Sequence, residues 1–351
     1  MEVKNYFDDN SISYSKLRNL SVGPAYFKKI QEEEQEDKEH FIIGSCVDIL
    51  LTEPDKFWEK YALEFQEVCE KVPTGQMKEF VEHVSYAEKL LKFDNKTNSQ
   101  YLEDKKYAYE QVGFKQASFE KILERYEVEG KEYFNWLNNK HDYNKSIKDK
   151  QIISNTQYSL ITKIVESLKT NRFTRKYFEG TIGTKTDKHL QLEIYWEYKD
   201  EKCKSKLDLV VVDHENREIH PIDIKTTGNS VFSFDSSALK WRYDLQSSFY
   251  SSALYWLINK SNDEYWNKLK DYTIKPFKFI VESSKYPGMP LMYECSEKFL
   301  KGGIDGFDYQ GRWYKGFIEL INDYKWYREN NSWDYSKDII EKEGIIKLSY
   351  D

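Results

Sequence analysis

The sequence lacks the features of several protein classes. Only four cysteines occur in 351 residues, and they stand singly, with no Cys-x-x-Cys pair. Isolated thiols in so long a chain indicate reduced packing residues rather than a disulfide framework or a metal cluster. The six histidines likewise show no metal-ligand spacing, so nothing in the pattern indicates zinc chemistry.

Long apolar runs are also missing. No stretch approaches the ~18 apolar residues that a membrane span needs, and the opening segment, residues 1–10, is polar and acidic rather than a secretory signal. We therefore expect a cytoplasmic protein without a membrane partner. The formal net charge of −7 excludes a chain coated with basic patches, although a narrow cationic groove is compatible with it.

The composition is that of a folded protein. Hydrophobic residues make up 39% of the chain and aromatic residues 16%, enough for a sizeable core. A chain of 351 residues is long for one domain and short for three. We expect either one large core with a substantial insertion or two closely packed lobes.

The first half of the chain is predicted to be helical. In the N-terminal part, residues 1–63, Ser13 or Ser15 can cap a short helix and Pro24 can begin the next. A buried helix follows within "HFIIGSCVDILLTEP" and should end at the proline. Residues 64–180 have a helical pattern throughout and carry no recognisable chemical motif. This stretch is predicted to be a helical insertion or subdomain.

The last part, residues 181–351, contains strands. Two short polar breaks, "KDEK" and "HENR", separate three segments of strand character and suit hairpins, which predicts an antiparallel meander of His189–Tyr198, Cys203–Asp213 and Glu218–Thr227. One helix, residues 236–258, a further strand in "FKFIVESS" and a helical C-terminal part should follow. The predicted fold class is α/β, with a small mixed sheet flanked by helices.

A group of charged residues is expected at one end of this sheet. Side chains of a strand alternate faces, so Asp223 and Lys225 point the same way, and Asp208 lies one hairpin away. Two neighbouring carboxylates repel unless a cation lies between them, and Mg²⁺ prefers oxygen ligands. Glu193 on the preceding strand is a third candidate ligand. Lys225 would orient or deprotonate a water molecule and stabilise transition-state charge.

Each of these features has a simpler interpretation. Asp-x-Lys is common, and Asp223 with Lys225 could be a structural ion pair. Arg242, Gln246 and Tyr250 recur every fourth residue on the next helix, a stripe able to contact phosphates or merely a solvated face. Asp48 stands within an apolar helix, where a carboxylate is costly unless it is paired, hydrogen-bonded or bound to metal.

Taken together, these motifs resemble the PD-(D/E)xK nuclease superfamily, and within it the RecB-like and RecE-like (exonuclease VIII-type) phage exonucleases. The order is Gly-x-x-x-Asp, then Glu, then Asp and Asp-x-Lys, then Gln-x-x-x-Tyr. The resemblance covers residues 10–60 and 185–320, in segments such as "SISYSKL", "GSCVDILLTEPDKF", "LDLVVVD", "PIDIKTT" and "YDLQSSFYSSAL". The combined pattern is fairly specific, whereas each motif alone is not.

The resemblance implies a restriction-endonuclease-like core with a large helical insertion, and an enzyme that hydrolyses DNA with Mg²⁺ or Mn²⁺. That enzyme would be an exonuclease of phage or mobile-element recombination, acting in the cytoplasm of a bacterial host. Carried over residue by residue, the metal ligands are Asp208, Asp223 and the Ile224 carbonyl. Lys225 is the catalytic lysine, while Gln246 and Tyr250 match the motif that contacts DNA.

One departure from the family and one alternative function stay open. Many members carry histidine where this chain has Asp48. Aspartate can also bind a metal ion, through oxygen, but the ligand geometry at that position would differ. Without Cys-x-x-Cys spacing, no iron–sulfur cluster is expected. The alternative is a DNA-binding module with the nuclease fold and little activity, although Asp208, Asp223 and Lys225 are all present. A single-strand annealing protein as partner and a ring-shaped homo-oligomer are implied by the resemblance, not by the residues.

Overall fold

The protein is described by a computed structural model that covers residue 6 and residues 9–33, 39–90, 98–181 and 185–346. The chain divides into two compact units. The first, here called the sheet unit, comprises Met1–Phe57 and Ser159–Asp351; the second, the helical unit, comprises Trp58–Tyr158. The sequence pattern placed the helical insertion at residues 64–180, whereas the compact helical unit ends at Tyr158.

The sheet unit begins with three helices: α1 (Tyr14–Val22), α2 (Pro24–Glu32) and α3 (Glu39–Thr52). The Oγ atom of Ser13 accepts a hydrogen bond from the Lys16 backbone N–H, which confirms Ser13 as the cap of α1. Pro24 occupies the first turn of α2, where a missing N–H costs nothing. The predicted stop of α3 before Pro54 is also confirmed.

The helical unit has its own elements and its own core. Its elements are α4 (Phe57–Lys60) from Trp58 onward, β1 (Tyr61–Leu63), α5 (Gln76–Leu90), α6 (Asn98–Val112), α7 (Phe119–Arg125), α8 (Lys131–Ser146), β2 (Gln151–Ile153) and the first residues of α9 (Asn155–Thr170). The two short strands pair in parallel. Phe80, Val81 and Ile122 are fully buried in a cluster that contains residues of this unit alone.

The sheet unit is built around a mixed sheet. After α10 (Arg175–Phe178), its strands are β3 (Thr186–Tyr198), β4 (Glu201–Asp213), β5 (Glu218–Thr227), β6 (Thr273–Ile274), β7 (Lys278–Ser283) and β8 (Leu291–Glu294). Their order is β3-β4-β5-β7-β8, and β6 also pairs with β5. The meander β3-β4-β5 is antiparallel and β5-β7 is parallel. The predicted α/β class with a mixed sheet flanked by helices is thus confirmed.

A helical crossover joins the parallel strands β5 and β7, as parallel pairing requires. It consists of α11 (Phe234–Trp241), α12 (Tyr243–Lys260) and α13 (Glu264–Asn267). The single helix predicted for residues 236–258 is wrong, because Arg242 adopts a left-handed conformation with φ of 56° and separates α11 from α12. Apolar residues of α12, such as Leu245 and Phe249, are buried against the sheet.

The C-terminal part contains more than helices. It comprises α14 (Glu297–Asp305), β9 (Phe307–Tyr309), β10 (Arg312–Tyr314), α15 (Phe317–Asn330) and α16 (Lys337–Glu341). The hairpin β9-β10 was not predicted from the sequence. In the ranges that the structure describes, no helix has the length and apolar character to cross a membrane.

Candidate active site

The strand register places two aspartates side by side. Leu209 of β4 pairs with Ile222 of β5, which sets Asp208 next to Asp223. Asp208 is half-buried and its Oδ2 atom accepts a hydrogen bond of 2.8 Å from the Ile224 backbone N–H, whereas Asp223 is 1% exposed. The predicted meander therefore brings these carboxylates together at the β4-β5 contact.

Lys225 is the cation of this site. Its Nζ atom lies 2.5 Å from Asp223 Oδ2, and 5.0 Å from the centroid of the Tyr243 ring. Burial disfavours the charged amine, but the nearby charge of Asp223 and the further groups Tyr243 and Asp208 outweigh burial and raise the pKa of Lys225. A lysine with a raised pKa keeps its proton, so charge stabilisation fits this geometry better than proton abstraction.

Asp48 of α3 reaches the same site from another element. Both of its carboxylate oxygens accept hydrogen bonds from Gln191 Nε2, at 2.9 and 3.1 Å. Burial, followed by the charge of Asp223, raises the pKa of Asp48 to about 6. Burial, followed by Asp223 and Asp48, also raises the pKa of Asp208. Three carboxylates therefore act on one another here.

Gln191 is a site residue that the sequence analysis missed. It lies opposite Asp208, between the strand pairs of Leu190 with Leu209 and Leu192 with Leu207. Its φ of 49° is left-handed, which is uncommon for a non-glycine residue and often marks a functional position. In the sequence, Gln191 is a single amide residue between two leucines. This local pattern does not indicate that its partner is Asp48, 143 residues away.

Gln246 and Tyr250 of α12 lie against the site rather than on a solvated face. Gln246 is 4% exposed and its Nε2 atom donates a 2.7 Å hydrogen bond to Asp223 Oδ1. Its other amide atom, Oε1, is buried without a hydrogen-bond partner among the described residues. Burial, with a further contribution from Asp223, raises the pKa of Tyr250.

The expected stripe fails at Arg242. This residue is 6% exposed, and its Nε and Nη2 atoms donate to the Asp244 carboxylate at 3.0 and 2.9 Å. Nη2 also donates to the Lys315 carbonyl at 2.7 Å, while the rings of Phe307 and Tyr314 lie within 6 Å. Because its donors are engaged inside the fold, Arg242 does not present a phosphate-binding cation.

Glu193 also lies apart from the carboxylate group. It is opposite Lys206 in the strand register, and its Oε1 atom forms an ion pair with the Lys206 amine at 3.4 Å. Asp48, rather than Glu193, is the third carboxylate beside Asp208 and Asp223. Within the described part of the chain, no group of three or more His, Cys, Asp or Glu residues is arranged to hold a metal ion.

Comparisons with known proteins find similar solved structures only. No protein-family model matches the chain, and no curated protein matches it. Among solved structures, a crystal structure of a "Putative exonuclease" from Eubacterium rectale is similar, with a TM-score of 0.44 and 11% sequence identity, over 100% of this chain and 96% of that chain.

Proposed function

We propose that the chain is a Mg²⁺-dependent nuclease that hydrolyses phosphodiester bonds in DNA. The observation that carries the proposal is the position of Asp223, which contacts Lys225 and Gln246, beside Asp208 at the β4-β5 contact, with Asp48 close enough to act on both carboxylates. When the three carboxylates and Lys225 are all ionised, the group carries two excess negative charges in a largely buried place. A divalent cation would neutralise this excess. Burial raises the pKa of Asp208 and of Asp223, and for Asp208 the neighbouring carboxylates add to the effect.

The donor set fits Mg²⁺ even though it contains no complete protein cage. This ion usually keeps several water ligands and binds one or two carboxylates together with substrate phosphates. Asp208 and Asp223 would supply the carboxylates and Ile224 a backbone carbonyl, with Asp48 alongside. The Oε1 atom of Gln246, buried without a hydrogen-bond partner among the described residues, belongs to the side chain that contacts Asp223. Mn²⁺ accepts oxygen ligands as well and would substitute.

The residues around the proposed metal ion would have different roles in hydrolysis. The bound ion would supply an activated water and polarise the phosphate. Lys225, kept protonated by its acidic neighbours, would stabilise the negative charge that develops on the phosphate oxygens. Gln246 fixes one oxygen of Asp223 and Gln191 fixes both oxygens of Asp48, which limits the movement of the ligands.

The finer assignment to an exonuclease of phage or mobile-element recombination rests on the sequence resemblance. On the same basis, Gln246 and Tyr250 would support the site near DNA, an annealing protein is a proposed partner, and a homo-oligomer a proposed assembly. The DNA-binding module with little activity remains the competing function. Both candidates bind DNA, so only a cleavage assay separates them.

The test is cleavage of end-labelled linear DNA and closed circular DNA with Mg²⁺ or EDTA. We expect linear DNA to be degraded from its ends, circular DNA to survive, and EDTA to stop the reaction. Lys225→Ala should lower the rate by about 10²–10³-fold, a typical cost of losing one charge-stabilising group. Lys298→Ala, which changes an exposed lysine of α14, is the matched control. DNA binding without cleavage by the unaltered chain would favour the competing function.

A further inference from the structure

A partly exposed cluster of cations and aromatic rings lies beside the proposed active site. It consists of Arg18, Phe41, Lys240 and Trp241, and is called the Trp241 cluster below. The Arg18 guanidinium lies 4.6 Å and the Lys240 amine 5.4 Å from the centroid of the Trp241 ring. The Phe41 ring, 48% exposed, meets the same ring edge-on at 6.4 Å.

Two tyrosines connect this cluster to the catalytic lysine. The Tyr14 hydroxyl donates a 2.6 Å hydrogen bond to the Trp241 carbonyl. Tyr243, two residues further along, lies over the Lys225 amine. Arg18 and Lys225 both act electrostatically on Tyr14 and on Tyr243. The Trp241 cluster therefore adjoins the carboxylate group rather than a remote surface.

The cations of this cluster differ from the others near the site. Lys225 is paired with Asp223, Lys206 with Glu193 and Arg242 with Asp244. Within the described residues, neither Arg18 nor Lys240 has an acidic side chain within 4 Å; the hydrogen bond recorded for Arg18 is to Asn19. In a chain with a net charge of −7, these two cations without acidic partners form a local positive charge that would attract a polyanion.

We infer that the Trp241 cluster binds the unpaired nucleotides of a single-stranded DNA end, with a base stacked on Trp241 and phosphates at Arg18 and Lys240. Aromatic faces flanked by cations hold single strands without regard to sequence, because every base has a flat face to stack. Bases inside a duplex are already stacked on each other and present only their edges. The inference rests on the proposed nuclease function and specifies which form of DNA reaches Lys225.

The test measures binding of fluorescent oligonucleotides by anisotropy in EDTA, so that no cleavage occurs. One probe is a single strand of mixed sequence, and the other is a blunt duplex of the same length. Trp241→Ala should weaken single-strand binding by about 5-fold or more, the usual range for loss of one stacked base, and affect the duplex less. Trp241→Phe should retain most of the affinity because it keeps a ring.

Two further variants complete the design. Arg18→Ala should reduce the slope of log K against log salt for the single strand by about 0.7, which corresponds to one phosphate contact. Tyr335→Ala removes another exposed ring of the sheet unit and should leave both affinities unchanged. If Trp241→Ala does not fold, Arg18→Ala and Lys240→Ala test the same surface through side chains that the fold does not enclose.

The outcomes separate this inference from the proposed function. Unchanged single-strand affinity in folded Trp241→Ala, or equal losses for both probes, would overturn the inference, and the Trp241 cluster would be a structural cation–π contact. If the unaltered chain then still cleaves DNA with Mg²⁺, the proposed function stands without it. If single-strand binding depends on Trp241 but the chain does not cleave DNA, the inference about the Trp241 cluster stands and the proposed nuclease function is wrong.

Discussion

Lys225 and Arg242 show how partners decide the role of a charged residue. Both are cations beside carboxylates, and both were candidate functional residues. Arg242 forms a buried pair with one aspartate, so its charge is balanced and its donors are used. Lys225 is near three carboxylates, so its charge alone does not balance the group when all of them are ionised. Only the second arrangement supports the proposed cation site.

Asp48 allows a prediction at the same scale. Its pKa of about 6 exceeds the ordinary 3.8, so the folded chain binds this proton more tightly than the unfolded chain. The contribution of Asp48 to folding stability is therefore fully present below pH ~4, where its carboxyl is protonated, and is lost as the pH rises through 6. In EDTA at pH 7.5, Asp48→Asn should therefore be more stable than the unaltered chain by about 3 kcal/mol, since each pKa unit corresponds to about 1.4 kcal/mol. Thermal melting should also show a flatter pH dependence.

Added Mg²⁺ should reverse this difference. It should raise the melting temperature of the unaltered chain more than that of Asp48→Asn, since the variant has lost an anionic neighbour of the ion. Asp48→Asn should also need more Mg²⁺ for half-maximal cleavage, whereas Glu193→Gln, which alters a carboxylate paired with Lys206, should not. A variant that is less stable at every pH, with an unshifted Mg²⁺ titration, would make Asp48 a structural residue.

Among the elements, the break between α11 and α12 matters most for the site. It starts α12 afresh at Tyr243, with Gln246 one turn in and within reach of Asp223. Arg242 keeps its left-handed conformation because Asp244, the Lys315 carbonyl and two aromatic rings hold its guanidinium. If α11 and α12 formed one continuous helix, Gln246 would have a different position and orientation relative to Asp223.

Arg242→Ala should therefore act on stability and not on DNA contact. Removing one partner of a buried pair leaves Asp244 with an uncompensated charge, which typically costs about 3–5 kcal/mol. Chemical denaturation would measure this loss. The salt dependence of DNA binding by the folded variant should match that of the unaltered chain, in contrast to Arg18→Ala. A flattened salt slope for Arg242→Ala would restore it as a phosphate contact.

On the scale of the whole molecule, the residues of the site and those of the helical unit belong to different cores. Leu207 is buried in the sheet unit next to Asp208, and Ile122 is buried in the helical unit. Every residue of the proposed active site belongs to the sheet unit. A defect in one core should therefore have different consequences from a defect in the other.

Matched cavity variants test this separation. Leu207→Ala and Ile122→Ala each remove a fully buried aliphatic side chain, at a typical cost of about 2–5 kcal/mol. Hydrogen exchange should show the loss of protection within residues 58–158 for Ile122→Ala, and around β4 and β5 for Leu207→Ala. Cleavage per folded molecule should fall for Leu207→Ala alone. An equal fall for both variants would mean that the helical unit contributes to catalysis.

Local patterns in the sequence were enough to predict several elements. Strand β5 has the predicted bounds, Glu218–Thr227, because alternating β-branched residues between polar turns specify a strand over a short distance. The cap at Ser13 likewise depends on neighbours within one turn. The proximity of Asp208 and Asp223 followed as well, since a hairpin of few residues leaves little freedom in register.

The sequence by itself thus determined the mixed α/β class, the meander and the pairing of Asp208 with Asp223 and Lys225, all of which arise from short-range periodicity. Only the tertiary structure decided that Asp48 meets Gln191, that Arg242 is enclosed, and that Arg18 lies over the Trp241 ring. These depend on contacts between residues separated by 70 to more than 200 positions. Local propensity contains no information about such contacts, because burial and the partners that compensate it exist only once the elements pack together.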